Sequence, residues 1–389
     1  MSPLRLLSAV VLGGAIITNA AAFAAPIMVV GIDTKFWIDD AGGRVFRPDS
    51  GDIVQVYDLS DAAHPQLIRE LPLLNSVVGP PTNLAMTPDG KLALIANSIL
   101  VAGEGPSKPT PDDRLFVVDL VARPSRILDT LQVGAQPSGI AISRDGTMAL
   151  VTNRAGKSVS VLSIAGTKVA VTDTVAMDEA VTSAAFTPDG KHALISEYSA
   201  NRVALLDIEQ GKVKRTNVAV TVGLWPYAVA VTPNGRLGLA GASGNQATSD
   251  GNIDPVAVID LTVAPPRTVD FIAAGDSVKG IVVSPRGDYA AATILQGSLD
   301  APRGAWFAHR TGSVALLRIL DDKVTLAGRT DVGAFSQGVA FSPDGDWVYL
   351  GNFASLSISV LHPENAKLVD THADIALPGP PASLRIGSQ

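Results

Sequence analysis

Cysteine is absent from all 389 residues. No disulfide, thiolate metal centre or Cys-x-x-Cys-His haem attachment can form, so the fold must rest on its buried core. Basic runs are missing too. With 30 Lys and Arg against 37 Asp and Glu, the formal net charge is −7, which disfavours nucleic acid as a partner. No pair of His or Cys has zinc-ligand spacing. Gly241-Ala-Ser-Gly244 does not make a nucleophile elbow, and Gly103-Glu-Gly-Pro-Ser-Lys108 lacks the phosphate-loop pattern.

One long apolar run is present, at the start. Arg5 precedes the apolar stretch Leu6 to Ala25, and Ala22-Phe23-Ala24 is a small-x-small cleavage pattern. Residues 1–25 are expected to be a cleaved signal peptide, leaving a periplasmic or secreted chain. Nothing later is long and apolar enough to span a bilayer. Loss of Arg5 leaves 29 basic against 37 acidic residues, or −8. About 364 residues remain, enough to bury most of their apolar surface in one domain over 26–389.

What the sequence does hold is a repeat. Thr87-Pro-Asp-Gly90, Ser143-Arg-Asp-Gly146, Thr187-Pro-Asp-Gly190, Thr232-Pro-Asn-Gly235, Ser284-Pro-Arg-Gly287 and Ser342-Pro-Asp-Gly345 are versions of one turn. Pro presets the first turn position and Gly supplies positive φ. Apolar β-type runs flank each turn, such as Ile140-Ala-Ile142 before and Met148-Ala-Leu-Val151 after. A third strand follows, as in Val203-Ala-Leu-Leu-Asp-Ile208, and a weaker fourth. Four antiparallel strands at a period near 45 residues describe a propeller blade.

Six full units run from residue 82 to about 371. The ends supply a seventh. Gly379-Pro-Pro-Ala-Ser-Leu-Arg-Ile386 matches the start of a unit and then stops, whereas Ile27-Met-Val-Val-Gly-Ile32 is a second strand with no first before it. The predicted fold is therefore an all-β, seven-bladed β-propeller whose C-terminal strand completes the N-terminal blade and covers two open edges. Small residues at Asn83, Gly139, Ser183, Ala228, Gly280, Gly338 and Ser383, and again two places on, suit innermost strands crowded about an axis. Arg385 alone breaks that second column.

Gln136-Pro-Ser-Gly-Ile-Ala-Ile-Ser-Arg-Asp-Gly-Thr-Met-Ala-Leu-Val-Thr-Asn153, followed by Ser158-Val-Ser-Val-Leu-Ser-Ile164, resembles the YVTN-repeat family of bacterial surface and periplasmic propellers. The naming tetrapeptide survives as Leu150-Val-Thr-Asn153 and Tyr349-Leu-Gly-Asn352 and is degenerate elsewhere. The resemblance spans nearly all of the expected mature chain. It implies a propeller, and relatives that include lactonase-like enzymes and subunits of periplasmic amine dehydrogenases. Fold does not settle function, so the site must be argued separately.

Strand alternation puts the Pro-Asp-Gly turns on one face and the second-to-third-strand loops on the other. Those loops are short near 153–157, 197–201 and 352–356, and long at 33–52, 97–114, 242–254 and 294–312. Four long loops on one face mark it as the expected working face. Lys35, Trp37 and Asp39 in the first, Glu104 in the second, and Arg303, Trp306, His309 and Arg310 in the fourth are candidates for binding or chemistry. His309 stands out because an imidazole works near neutral pH. At the channel mouth the second inner-strand positions are Thr82, Ser138, Thr182, Tyr227, Lys279, Gln337 and Ala382. Lys279 is the one charge there, an anion or carbonyl contact, with Trp225 and Tyr227 beside it to stack on a ligand or to pack between blades. Asp250-Gly-Asn252-Ile-Asp254 alternates oxygen ligands as in the first half of a calcium loop, but Pro255 and Leu261 then break that pattern. Ca²⁺ is the sole metal for which the sequence offers any ligand pattern; no other cofactor is expected.

The leading reading is a monomeric binding scaffold for a small molecule or a periplasmic protein on the long-loop face. The alternative is a lactonase-like hydrolase at the channel mouth, with His309, Arg303, Arg310, Glu104 or Lys279 as its groups. The third is a partner subunit of a periplasmic dehydrogenase.

Overall fold

The computed structural model describes residues 26–39, 43–48, 51–76, 81–103, 108–245 and 248–387. The expected signal peptide lies outside them. Among the described residues, no helix is long and apolar enough to cross a membrane.

Seven antiparallel sheets stand around an axis, six of four strands and a seventh whose outer strand is split into Lys367–Asp370 and Ile375–Ala376. Blade 1 takes its innermost strand from the C-terminus: Pro381–Gly387 lies beside Ile27–Ile32, which is followed by Ile53–Asp58 and Gln66–Pro72. Ile27 faces Gly387 and Val30 faces Leu384 across the closing pair. Blades 2 to 7 begin with inner strands Leu84–Met86, Pro137–Ile142, Val181–Phe186, Pro226–Val231, Val278–Val283 and Ser336–Phe341. The seven-bladed ring and its mode of closure match the sequence expectation.

The core lies between the blades. Strands rich in Val, Ile, Leu and Ala bury both faces of each sheet against its neighbours, while outer strands are largely exposed. The small inner column has a direct cause. A Cβ on Gly139 would overlap the carbonyl oxygen of Thr182, and one on Gly280 that of Gln337, each on the next inner strand. Adjacent inner strands touch backbone to backbone: the Ile140 N–H donates to the Thr82 carbonyl at 2.7 Å.

The repeated turns close on themselves. The Ser143 hydroxyl donates to Asp145 Oδ1 at 2.6 Å, and Thr187 to Asp189 Oδ1 at 2.6 Å; each carboxylate also accepts a backbone N–H two residues on. Hydrogen bonds from Ser143 and from Thr187 hold these two carboxyls below the usual aspartate range. A depressed folded-state value means stability that is present above the unfolded pKa near 4 and lost as pH falls below it. Acid titration followed by circular dichroism is therefore expected to show the melting temperature falling below about pH 4. Asp145→Ala with Asp189→Ala should flatten that fall.

On the other face, the tetrapeptide asparagines tie the short loops. Asn153 Nδ2 donates to Ser158 and Ser160 Oγ, both at 3.0 Å, and Asn352 Nδ2 donates to Ser357 and Ser359 at 3.1 and 2.9 Å. The long loops have their own ribbons. Phe36–Ile38 pairs with Arg44–Phe46, and Ile99–Leu100 with Thr110–Pro111. Phe36 lies 5.3 Å from the Phe353 ring and packs on Leu295, Phe335 and Ala382, which seats the 33–52 loop over blades 1, 6 and 7.

Candidate functional site

Lys279 is the second residue of its inner strand, so the strand delivers it to the channel mouth on the long-loop face. It is 2% exposed. Its Nζ lies 4.8 Å from the centre of the Tyr227 ring, at the equivalent position of blade 5. Burial lowers its pKa to about 8, against the pull of Asp300. Gln337, at the equivalent position of blade 7, is buried, and among the described residues its amide Oε1 accepts no hydrogen bond. A buried acceptor of that kind awaits a donor.

Aromatic rings wall one side. Tyr198 meets Trp225 edge-on at 4.3 Å and Tyr227 at 5.7 Å, and the Arg154 guanidinium lies 4.5 Å from the Tyr198 ring centre. Trp225 takes positive φ, with its N–H donated to Asn201 Oδ1 at 2.9 Å. Burial raises the Tyr227 hydroxyl far above the ordinary tyrosine range, so it stays protonated.

Two carboxylates, Asp300 and Asp254, also act on Lys279. Asp300 Oδ2 accepts the Ser249 N–H at 2.6 Å, and Asp254 Oδ2 accepts the Ser277 N–H at 2.8 Å. Burial lifts Asp254 to about 6. Gly244 turns close against it with φ +67°, and a Cβ there would lie 2.5 Å from its Oδ2. Arg44, on the ribbon of the 33–52 loop, acts electrostatically on Tyr198, Tyr227 and Lys279, although its own blade is blade 1. That loop therefore leans across the mouth.

The remaining sequence candidates fall as follows. Lys35 is not on the surface. It is fully buried, donates 2.7 Å to the Asn75 carbonyl, and pairs with Asp52 and, at 3.3 Å, with Asp33. It clamps the two ends of the 33–52 loop. Trp37 is half-buried, donates its indole N–H to the Thr34 carbonyl at 3.0 Å, and carries Arg47 at 5.3 Å from its ring centre. Asp39 is exposed and accepts the Gly43 N–H at 2.7 Å. Arg303, His309 and Arg310 are exposed, and Trp306 is 84% exposed. His309 thus lacks the orienting, water-excluded setting that a general base uses. Glu104 lies outside the described residues. Asp250 Oδ1 is engaged by the Asn252 N–H at 2.9 Å. Asp254 points to Ser277, and the described residues contain no metal-binding group of three or more His, Asp and Glu.

Sequence reasoning picked Lys279, Tyr227, Trp225 and Gln337 and missed Arg154, Tyr198 and Asp300. Tyr198 and Arg154 sit in short loops, where loop length drew no attention. Asp300 lies in a long loop whose exposed cations drew it instead.

With this geometry in hand, comparison with known proteins fixes the fold. No protein-family model and no curated protein matches the sequence, so the YVTN resemblance stands on the residues quoted above. Solved structures do match. A candidate 6-phosphogluconolactonase from Bacteroides uniformis aligns with TM-score 0.68 at 17% identity, over 93% of this chain and 99% of that one. The periplasmic gluconolactonase of Pseudomonas aeruginosa gives 0.68 at 17%, over 94% and 99%. Hydrazine synthase from Kuenenia stuttgartiensis gives 0.60 at 20%, over 80% and 90%. The chain shares its fold with lactonase propellers. At such identities the likeness carries the architecture and not the activity.

Proposed function

We propose that this propeller is an exported binding protein for a small anionic ligand, held at the channel mouth on the long-loop face. One observation carries the reading: Lys279 is buried at the mouth against Tyr227, within the fields of Arg154 and Arg44. At Lys279 itself the cations Arg154 and Arg44 are matched by Asp300 and Asp254, which leaves the lysine charge as the surplus among these five groups, with Asp276 and Asp250 beyond them acting on Asp254. A carboxylate entering a water-poor pocket gains most from such a cluster. The Gln337 amide oxygen can accept from a ligand hydroxyl, and the half-buried Trp225, backed by Tyr198, offers a ring face. A sugar acid such as gluconate has both features.

The test is calorimetric titration with gluconate. Saturable binding is expected, weakened about tenfold or more in Lys279→Met, since charge-assisted hydrogen bonds are the strong ones. The variant should fold with an unchanged or higher melting temperature, because burial disfavours the charged lysine. Absence of gluconate binding, or binding untouched by Lys279→Met, overturns the reading.

The pH dependence has a definite sign. Affinity for the anion should fall as pH rises through about 8, where Lys279 loses its proton. It should increase modestly as pH falls through about 6, where Asp254 becomes neutral. Titration at pH 5, 7 and 9 with Lys279→Met alongside checks both steps.

Lactone hydrolysis is the second reading, favoured by the names of the structural neighbours and by Asp254. A carboxyl titrating near 6 suits a general base acting on water, and Lys279 suits stabilisation of a developing oxyanion. Glucono-δ-lactone hydrolysis above the buffer rate, abolished in Asp254→Asn with gluconate binding retained, would select it.

A further inference from the structure

The second inner-strand column runs Ala85, Ala141, Ala185, Ala230, Val282, Ala340 and Arg385. Six small side chains leave open space toward the turn face, and one guanidinium enters it. Arg385 lines two adjoining cavities of the channel, of about 540 and 350 Å³, which share Ile140, Val231 and Ile386 as walls. The larger also has Met86, Ile142 and Phe186 as apolar wall and Arg144 at its rim.

The charge balance of this mouth is one-sided. Its lining holds two arginines and no acidic residue. Arg385 Nη1 donates to the Leu384 carbonyl at 2.7 Å, and among the described residues no carboxylate pairs with the guanidinium. The nearby turn aspartates are engaged in their own turns. Burial depresses Arg385 to about 10, still fully charged at neutral pH, with no opposing carboxylate contributing. A guanidinium in an apolar cavity without a counter-ion pays a desolvation penalty that an incoming anion relieves. If the side chain merely filled space, Leu or Met would do so without that penalty.

We infer that the turn-face mouth of the channel is a second ligand site, which takes a small organic acid with its carboxylate on Arg385 and its apolar body against Phe186, Ile142 and Met86. This site is separate from the one at the long-loop mouth and does not depend on it. The cavity volumes fall in the range of small-molecule sites. Arg144, exposed at the rim, adds attraction and an entry field. A planar fork suits a carboxylate, which it can grip with two parallel hydrogen bonds.

Hexanoate is the probe, with hexanol and acetate as controls, by isothermal titration of the whole chain. Saturable hexanoate binding is expected, with hexanol and acetate at least about tenfold weaker because each lacks one of the two contacts. Arg385→Gln should lose hexanoate by at least about tenfold, Arg385→Lys should retain part of it, and Arg144→Ala should weaken it a few-fold. Arg144 is exposed, so its variant folds whatever becomes of the Arg385 series. Lys279→Met should leave hexanoate untouched, which separates this site from the long-loop mouth. Unchanged affinity in both Arg385→Gln and Arg144→Ala overturns the inference, as does loss in Lys279→Met or the absence of saturable binding.

Discussion

A chain ending at Gly379 is expected not to form the native ring. Removing Pro381–Gly387 strips Ile27–Ile32 of a partner that pairs six of its residues, and takes buried Ala382 and Leu384 out of the ring. Ladder hydrogen bonds contribute about 0.5–1.5 kcal/mol each, and a fully buried Leu about 1.5–3 kcal/mol. The sum is comparable to the whole stability of a typical domain, about 5–15 kcal/mol. Two raw sheet edges would also be exposed to other chains. Size exclusion should show aggregates, and thermal scans no cooperative transition. Moving the same strand to the N-terminus, joined ahead of Ile27 by a flexible linker, should restore both. If the truncated chain melts cooperatively as a monomer, the closing strand is dispensable.

Lys35→Met is the substitution with the largest expected effect. Lys35, Asp33 and Asp52 are fully or almost fully buried, and Asp52 also accepts the N–H groups of Thr34 at 2.9 Å and Asn75 at 3.1 Å. Asn75 in turn donates its side chain to the carbonyls of Ile32 and Leu73 at 3.1 Å each. Removing the cation leaves two carboxylates in the interior without their counter-charge, a loss of about 3–5 kcal/mol. Denaturant unfolding should show the midpoint shifted with the slope unchanged. Asp52→Asn added to Lys35→Met should recover part of the loss by removing one stranded charge. A shift under about 1 kcal/mol would show that the clamp carries little stability.

The architecture was legible because it is written locally and repeated. Each Pro-Asp-Gly turn specifies its hairpin by its own residues, and the two ends of the chain carry complementary defects that only ring closure repairs. The shared face of the long loops followed from strand direction alone. The site resisted for a physical reason: its groups come from blades 1, 3, 4, 5, 6 and 7, and nothing in linear order says which of them meet. Inner-strand position did identify Lys279, Tyr227 and Gln337, since every blade delivers that position to the same place. Loop length drew attention to cations such as Arg310, which are exposed, while Arg154 and Tyr198 come from short loops. Lys35 looked like a surface contact because one polar residue in a loop reads like any other until its burial is known. Arg385 broke a column of small residues, and that irregularity marked the second cavity.

Ring closure also fixes how the molecule would hang from anything joined to it. Ile27 and Gly387 are paired across the closing strands, so the ends of the propeller leave it side by side, from the two innermost strands of blade 1 on the face that carries the tight turns. A tag, linker or fusion partner at either end therefore leads away from that one point. The face with the long loops then looks outward, clear of whatever the chain is tethered to. Immobilisation through either terminus should present Lys279 and its neighbours to solution in one common orientation.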